Sequence, residues 1–218
     1  MTRKNVALHR AAVLGAITLL PLAGACDLVE SDEDARIQIQ LTDAPADIIE
    51  SAEVWISRVY LQGGPNDDDQ DDEDGDTPNG RVDLFNEPDN PFEVDLLVLA
   101  DGVTANLSAP VEIPAGSYKG LRIVVDSAFV TLKTGFTFEG GASTGTLRIP
   151  SGSTSGIKVH LDGDVEASEG ATTTLLLDFD VNESFKIQGQ EPPATGGIVG
   201  EIRLEPVIRE MERSEEES

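Results

Sequence analysis

Two carboxylates and an amide at the end of one predicted strand have the spacing that most directly suggests chemistry. Asp178, Asp180 and Asn182 follow an apolar run, and side chains two residues apart on a strand point to the same face. Their oxygens are ligands of the kind that calcium prefers, so the pattern predicts a candidate metal site. With 41 Asp and Glu residues in the chain, acidic pairs also arise by composition, and a polar strand end is the simpler interpretation.

The chain has too few histidines and cysteines for most of the sites that depend on them. The chain has one cysteine, Cys26, and only one histidine beyond the N-terminal region, His160. Zinc sites normally draw on several His or Cys ligands, so zinc and a Ser–His–Asp triad are both disfavoured. His160 alternates with Lys158 between apolar neighbours, which predicts that it lies on the solvent face of a strand. We therefore predict no catalytic residue, no cofactor and no enzymatic activity.

The N-terminal region predicts export. Residues 1–25 combine a basic start with an uncharged, mostly apolar run, which is typical of a signal peptide. The run Leu22-Ala23-Gly24-Ala25-Cys26 is similar to a bacterial lipobox, in which Cys26 is acylated and becomes the mature N-terminus. It departs from the usual pattern at Ala23, where leucine is most common. The same small residues also suit ordinary signal peptidase, so a soluble secreted or periplasmic protein is the alternative.

If Cys26 is lipidated, the protein binds a membrane through its N-terminal lipid anchor. The acyl chains of such a residue hold a protein at a bilayer surface, so the predicted location is the cell envelope, with the outer membrane favoured over the inner membrane. Asp27 directly follows the cysteine, and in some bacteria an aspartate there retains a lipoprotein at the inner membrane. The sequence leaves the choice between the two membranes open.

The charge of the chain excludes one class of partner. The formal charge is −26, and removal of residues 1–25, which hold three basic residues and no acid, changes it to −29. Nucleic-acid binding needs a basic footprint and is disfavoured. Three acidic segments predict mobile extensions, because like charges repel and solvate rather than pack. They are a tether at 26–35, a disordered loop at 67–76 and a disordered tail at 210–218.

The acidic loop does not match a known calcium motif. If Gly75 is placed at position 6 of an EF-hand, Gln70 falls at position 1 and Arg81 at position 12, where the motif needs carboxylates. Three interpretations of the loop stay open: a solvated polyanion, a weak calcium binder, or an adaptation to high salt.

Residues 36–209 have the pattern of an all-β domain. Ile37, Ile39 and Leu41 alternate with polar residues, as in a half-buried strand. About ten short strands separated by Gly- and Pro-rich turns favour a sandwich or a barrel. Helical turns are predicted only at 47–52 and 96–100. The predicted strands lie at 37–42, 54–61, 81–85, 121–125, 129–132, 136–138, 146–149, 156–161, 172–179, 184–187 and 201–208.

An ordered series of short motifs adds a resemblance. The series comprises Leu41-Thr42-Asp43-Ala44-Pro45, Val94-Asp95-Leu96-Leu97, Ile113-Pro114-Ala115-Gly116-Ser117-Tyr118, Leu177-Asp178-Phe179-Asp180 and Leu204-Glu205-Pro206-Val207. In this order it resembles the bacterial lipoprotein family catalogued as domain of unknown function 4382, over residues 36–209. The resemblance implies an envelope-anchored, immunoglobulin-like or transthyretin-like β-sandwich. It implies no established activity and supplies no catalytic residues; the acidic segments at 67–76 and 210–218 depart from it.

These features together predict a lipid-anchored envelope protein that acts as a binding, adhesion or structural module, with an unknown protein or glycan as ligand. One alternative is a calcium-linked structural or adhesive domain that uses the acidic loop or Asp178 and Asp180. A second alternative is an envelope hydrolase with paired carboxylates. A deep cleft lined by two facing carboxylates would favour the hydrolase.

Overall fold

A computed structural model describes residues 34–65, 80–149, 156–189 and 195–217. Asp32–Ser218 group into one compact unit. The predicted signal peptide, Cys26 and the acidic loop at 67–76 lie outside the described residues, as does the tether as far as residue 33. Among the described residues, no helix is long and apolar enough to cross a membrane.

The described residues contain seventeen strands and two short helical turns. A 3-10 turn at Leu96–Leu99 follows the fourth strand, and a one-turn helix, α1 (Val181–Ser184), follows the thirteenth. The strands, in chain order, are β1 (Asp34–Thr42), β2 (Ile49–Gln62), β3 (Val82–Asn86), β4 (Phe92–Asp95), β5 (Ala105–Asn106), β6 (Val111–Pro114), β7 (Gly116–Tyr118), β8 (Gly120–Leu132), β9 (Phe136–Phe138), β10 (Thr144–Thr146), β11 (Ile157–Lys158), β12 (Val165–Ala167), β13 (Ala171–Phe179), β14 (Phe185–Ile187), β15 (Gly197–Val199), β16 (Ile202–Leu204) and β17 (Ile208–Glu217).

Two larger sheets carry the architecture. Sheet A has the order β17-β13-β1-β5, with β6 also pairing with β1; sheet B has the order β10-β8-β2-β3, with β11 on β8 and β4 on β2. The pairing of β1 with β13 is parallel, whereas β2, β8 and their neighbours pair antiparallel. Three two-stranded ladders, β7–β12, β14–β16 and β9–β15, complete the described fold.

Alternation of apolar residues builds one core between the sheets. On β1, Ile37, Ile39 and Leu41 are fully buried, and the residues between them are partly exposed. The long strands of sheet B also direct an apolar series inward, including Val54 and Ile123. All of these side chains belong to a single hydrophobic cluster, so sheets A and B pack as a β-sandwich. The predicted all-β sandwich is confirmed.

The C-terminal segment corrects the predicted disorder. Residues 210–217 are not a disordered tail, because Ile208–Glu217 forms β17 and pairs antiparallel with β13 from Ala171 to Phe179. Most β17 side chains are exposed, so their charges stay in water while the backbone completes the ladder. Charge repulsion between side chains does not prevent pairing when a neighbouring strand offers its backbone groups.

Other local differences follow from long-range pairing. The predicted strands at 121–125 and 129–132 are one strand, β8. The helical turn predicted at 47–52 is wrong, since β2 begins at Ile49, whereas the turn predicted at 96–100 is confirmed by the 3-10 turn. Six short strands were missed because each owes its pairing to a distant partner: β4, β5, β6, β7, β12 and β15. The immunoglobulin-like or transthyretin-like subclass stays a prediction.

Tyr118 fixes one turn of the sandwich. Its ring is fully buried, and its hydroxyl donates a hydrogen bond to the carbonyl of Pro114 at 2.7 Å. Gly64 passes so close that a Cβ there would lie 2.5 Å from the tyrosine ring, so this position requires glycine.

Candidate functional site

Three strands of sheet A place acidic residues at one end of the sandwich. Because β1 and β13 run parallel, both finish there, with Thr42 paired to Asp178. The antiparallel strand β17 begins at the same place, with Arg209 paired to Asp178. We call this the acidic end, and it consists of Asp43, Asp178, Asp180, Glu183 and Arg209.

Asp43 is the buried member of the acidic end. It is only 6% exposed. Its Oδ1 accepts a hydrogen bond from the backbone N–H of Val181 at 3.1 Å, whereas its Oδ2 is buried without a hydrogen-bond partner. A buried carboxylate oxygen with no partner is costly when the group is ionised. This arrangement therefore favours the neutral, protonated carboxyl.

The surroundings of Asp43 raise its pKa to about 7. Loss of hydration on burial is the largest cause, and the negative charges of Asp178 and Asp180 add to it; hydrogen bonds from the backbone of Ala44 and Val181 act in the opposite direction. The pKa of Asp178 is also raised, first by burial and then by Asp180. Within the acidic end, Asp43 therefore holds its proton up to about neutral pH.

The segment after the 3-10 turn supports the motif residue Thr42. The Thr42 hydroxyl lies 3.1 Å from the carbonyl oxygens of both Leu99 and Val103, and these two acceptors share its one proton. Val103 reaches this position through a tight turn in which Asp101 and Gly102 both have positive φ, 60° and 84°. Glycine adopts that conformation freely and aspartate tolerates it. The Asp101-Gly102 pair is therefore suited to this turn.

Asp180 lies between β13 and helix α1 and is the N-cap residue of the helix. Its Oδ1 accepts a hydrogen bond from the backbone N–H of Glu183 at 2.8 Å, the arrangement of a helix N-cap. Its Oδ2 lies 3.3 Å from Nη1 of Arg209, whose Nη2 also pairs with Glu183. Arg209 thus balances two carboxylates at the surface of the acidic end.

Asn182 fastens the loop that follows the Asp43 motif. Its Nδ2 donates to the carbonyl of Pro45 at 2.8 Å, and its Oδ1 accepts from the backbone N–H of Asp47 at 3.3 Å. The Lys133 ammonium donates to the carbonyls of Ala46 at 2.6 Å and Asp47 at 3.0 Å. The role of Asn182 in these contacts is structural.

The metal site was predicted from alternation along one strand, and the structure does not show that alternation. Asp178, Asp180 and Asn182 do not alternate along one strand, because β13 ends at Phe179 and the chain enters a helical turn at Val181. Among the described residues, no group of three or more His, Cys, Asp or Glu side chains is placed to hold a metal ion. Calcium binding at these residues stays a prediction that the geometry does not test.

Calcium titration tests the metal site directly. Asp180 and Asn182 already use oxygens for a helix cap, an ion pair and a loop contact. We therefore expect millimolar calcium to leave the melting temperature of the full chain unchanged. A calcium-dependent rise that Asp178→Asn abolishes and Asp89→Asn, an exposed control, retains would establish the site instead.

A protein-family model for a domain of unknown function, DUF4382, matches residues 34–192. The chain belongs to the DUF4382 family. The match runs from β1 through β14 and includes Asp43, Asp178 and Asp180, whereas Arg209 and the whole of β17 lie beyond it. The resemblance noted from the motifs reached residue 209, so the family match ends earlier than that. Comparisons with curated proteins and with solved structures gave no significant match.

Sequence reasoning missed the central residue of this DUF4382 site. Asp43 entered the sequence analysis only as part of a motif, because its partner Val181 is 138 positions away. A detectable signal was present, since a carboxylate directly follows the alternating apolar strand and precedes Pro45. Such a position at the end of a buried strand predicts a partly buried acid.

Two cavities of the DUF4382 domain bear on the hydrolase alternative. One, of about 270 Å³, is lined by a single carboxylate, Asp164, together with Lys119, Lys158 and His160. The other, of about 470 Å³, has no carboxylate; its lining residues are Leu84, Phe85, Asn106, Leu107, Ser108, Ala109 and Val111. Neither cavity presents the pair of facing carboxylates that glycoside hydrolysis uses. His160 is exposed, as predicted, but lies two residues beyond β11.

Proposed function

We propose that this DUF4382 protein is a lipid-anchored protein of the bacterial cell envelope that presents its β-sandwich as a non-enzymatic binding or adhesion module. The observation that carries the anchoring is the apolar N-terminal run that ends in Leu22-Ala23-Gly24-Ala25-Cys26. In support of the proposal, the first strand begins at Asp34, only seven residues beyond Asp27. An extended chain of that length reaches about 25 Å, which holds the domain close to its anchor.

The direction of β1 supports binding at the acidic end. The strand starts at the anchored side and runs nine residues to Thr42, a distance of about 30 Å for an extended strand. The acidic end therefore lies at the far end of β1 from the tether. Loops at the ends of sandwiches commonly carry binding residues.

Apolar side chains are exposed near the same end. Val98 is 60% exposed and Val103 is 51% exposed, and both belong to the segment whose carbonyls contact Thr42. Large exposed apolar side chains beside polar groups are a feature of protein interaction surfaces. We propose that this surface, beside the buried Asp43, contacts a protein or glycan ligand.

Metabolic labelling with a palmitate analogue tests the anchor. The wild-type chain is expected to incorporate the label and to partition with membranes, and Cys26→Ser is expected to lose both properties, since the acylated sulfur is removed. Absence of label from the wild type would favour the soluble secreted or periplasmic alternative. Label that survives the substitution would contradict acylation at Cys26.

Affinity capture from intact cells tests the binding role separately. The anchored protein is expected to recover a protein or an envelope glycan that a Val98→Asp, Val103→Asp variant does not recover, because added charge opposes an apolar contact. A variant with Ile198→Asp serves as the control, since Ile198 is 65% exposed but lies on β15. Recovery of no partner, or equal recovery by all three proteins, would contradict binding at the acidic end.

A further inference from the structure

The acidic end carries more negative charge than its own cation balances. Of the five residues that define it, Asp43, Asp178, Asp180 and Glu183 are carboxylates and only Arg209 is a cation. Arg209 is already engaged, because its Nη1 lies 3.3 Å from Oδ2 of Asp180 and its Nη2 pairs with Glu183. The pKa of Asp178 is raised by burial and by Asp180, although Arg209 acts in the opposite direction. A second positive charge would therefore stabilise this end of the sandwich.

The buried oxygen of Asp43 adds a second, independent observation. Asp43 is only 6% exposed, and its Oδ2 has no hydrogen-bond partner among the described residues. An ionised carboxylate needs a donor or a cation at this oxygen, and a protonated one needs an acceptor for its proton. Because Asp178 and Asp180 act on Asp43 as negative charges, the unpartnered oxygen belongs to the same group of carboxylates. Both the charge balance and this oxygen point to a ligand with a positive charge.

Strand register places Asp178 and the exposed Val103 on either side of Thr42. In sheet A, β1 lies between β13 and β5. Thr42 pairs with Asp178 on β13, and its hydroxyl contacts the carbonyl of Val103, two residues before β5. Asp178 and Val103 are therefore separated by two strand spacings, about 10 Å. Arg209 pairs with Asp178 from the other side, on β17, which leaves the side of Thr42 and Val103 for a second cation.

We infer that the acidic end binds a basic protein segment, which places a lysine or arginine side chain on Asp178 and an apolar side chain on Val103. Side chains two residues apart in an extended segment lie on the same face, about 7 Å apart, and the length of the cationic side chain covers the remaining distance. The cation donates a charge-assisted hydrogen bond to the Asp178 carboxylate. This inference rests on the proposed binding role of the acidic end and narrows the ligand of that site.

The charge of the whole chain favours the same class of ligand. A formal charge of −26 attracts basic partners at long range and accelerates their encounter with the protein. This attraction acts on every basic protein, and salt screens it. Specificity therefore has to come from the contacts at Asp178 and Val103, where a cation and an apolar group must be presented together.

Titration of the full chain in non-ionic detergent micelles, followed by NMR, tests this inference. The probes are blocked pentapeptides, glycine–X–glycine–leucine–glycine with lysine, arginine or glutamine at X, and a neutral trisaccharide of N-acetylglucosamine. They are added at constant ionic strength and about pH 7.5, above the pKa of about 7 of Asp43. We expect the lysine or the arginine peptide to shift the backbone amide signals of residues 42–43, 103–104 and 178–181 in a saturable manner. The glutamine peptide is expected to bind about tenfold more weakly, since it lacks the charge.

Two charge-matched variants separate the site from general attraction. Asp178→Asn is expected to weaken binding of the cationic peptide about tenfold, the effect of losing one charge-assisted hydrogen bond. Asp89→Asn removes the same charge from an exposed position and is expected to leave the affinity unchanged. The amide spectrum of the rest of the chain reports whether each variant is folded. Equal weakening by both variants, equal affinity for the charged and neutral peptides, or saturation by the trisaccharide alone would contradict the inference.

The proposed function and this inference can fail separately. If affinity capture recovers a partner that depends on Val98 and Val103, but neither cationic peptide gives saturable shifts, the binding role stands and the inference is wrong. If a cationic peptide binds in a manner that depends on Asp178, but capture recovers no partner, the inference stands and the proposed role in cells is wrong.

Discussion

Replacement of Asp43 by asparagine is expected to stabilise the protein above neutral pH and to have little effect at about pH 4. Burial raises the pKa of Asp43 from 3.8 to about 7, and one pKa unit corresponds to about 1.4 kcal/mol. The full shift is therefore a cost on the order of 4 kcal/mol once the pH exceeds the folded-state pKa. Asparagine avoids this cost because it is never ionised.

The pH dependence follows from the direction of the shift. Below the unfolded-state value of 3.8, the carboxyl is protonated in both the folded and the unfolded chain and contributes no pH dependence. Between that value and about 7, the folded state keeps a proton that the unfolded state has lost. Unfolding then releases a proton, so the free energy of unfolding falls as the pH rises. Above about pH 7 both states are ionised, and the cost is constant.

Urea unfolding of the wild type and Asp43→Asn across this pH range measures the effect. The amide oxygen of asparagine can still accept the hydrogen bond from Val181. The pH-dependent part of the difference in unfolding free energy between the two proteins therefore reports the ionisation of Asp43. Asp89→Asn removes one charge at an exposed position and controls for general charge repulsion. Asp43→Ala is never ionised either but leaves the Val181 N–H without its acceptor, so it is expected to be less stable than Asp43→Asn by about 1–3 kcal/mol at every pH. A constant difference between wild type and Asp43→Asn would contradict a raised pKa.

The strands that the sequence predicts best are those whose burial alternates. Ile37, Ile39 and Leu41 on β1 carry a period-2 signal strong enough to locate the strand within a few residues. Short strands such as β5 and β15 carry no such signal, because two or three residues cannot define a period. Their pairing depends on strands that are distant in sequence.

The candidate site was harder to predict because it depends on register. A parallel match of β1 with β13 places Thr42 beside Asp178, and local sequence does not reveal that match. The sequence located Asp178 and Asp180 as polar residues at a strand end and as candidate metal ligands, which stays a prediction, but it did not predict that Asp180 caps a helix. It also overlooked Asp43, whose unusual pKa depends on burial and on those two carboxylates.

The acidic residues of β17 led to a wrong prediction of disorder. Because this segment instead pairs with β13, its removal is expected to affect solubility. Removal of residues 210–218 would turn β13 into an edge strand over Ala171–Leu177, its positions opposite residues 210–217 of β17. This stretch reads ATTTLLL and has no charge and no proline. Uncharged, β-prone edges of this length pair with other chains. We therefore expect the shortened protein to self-associate.

The effect on association should exceed the effect on folding stability. Each lost ladder hydrogen bond contributes about 0.5–1.5 kcal/mol, while release of each ordered residue returns about 1–2 kcal/mol of backbone entropy. These two contributions largely cancel, since the side chains of this part of β17 are mostly exposed and bury little apolar surface. What remains is an unprotected strand edge in a chain that still folds.

Light scattering coupled to size-exclusion chromatography tests the shortened chain. A protein that ends at Arg209 keeps the ion pairs of the acidic end and is expected to elute as larger species than the full chain at equal concentration. A second variant with Glu212, Glu215, Glu216 and Glu217 changed to glutamine keeps the backbone of β17 and separates pairing from charge. If backbone coverage is the protective feature, this variant elutes like the full chain. Identical elution of the shortened and full chains would show that β17 does not protect β13.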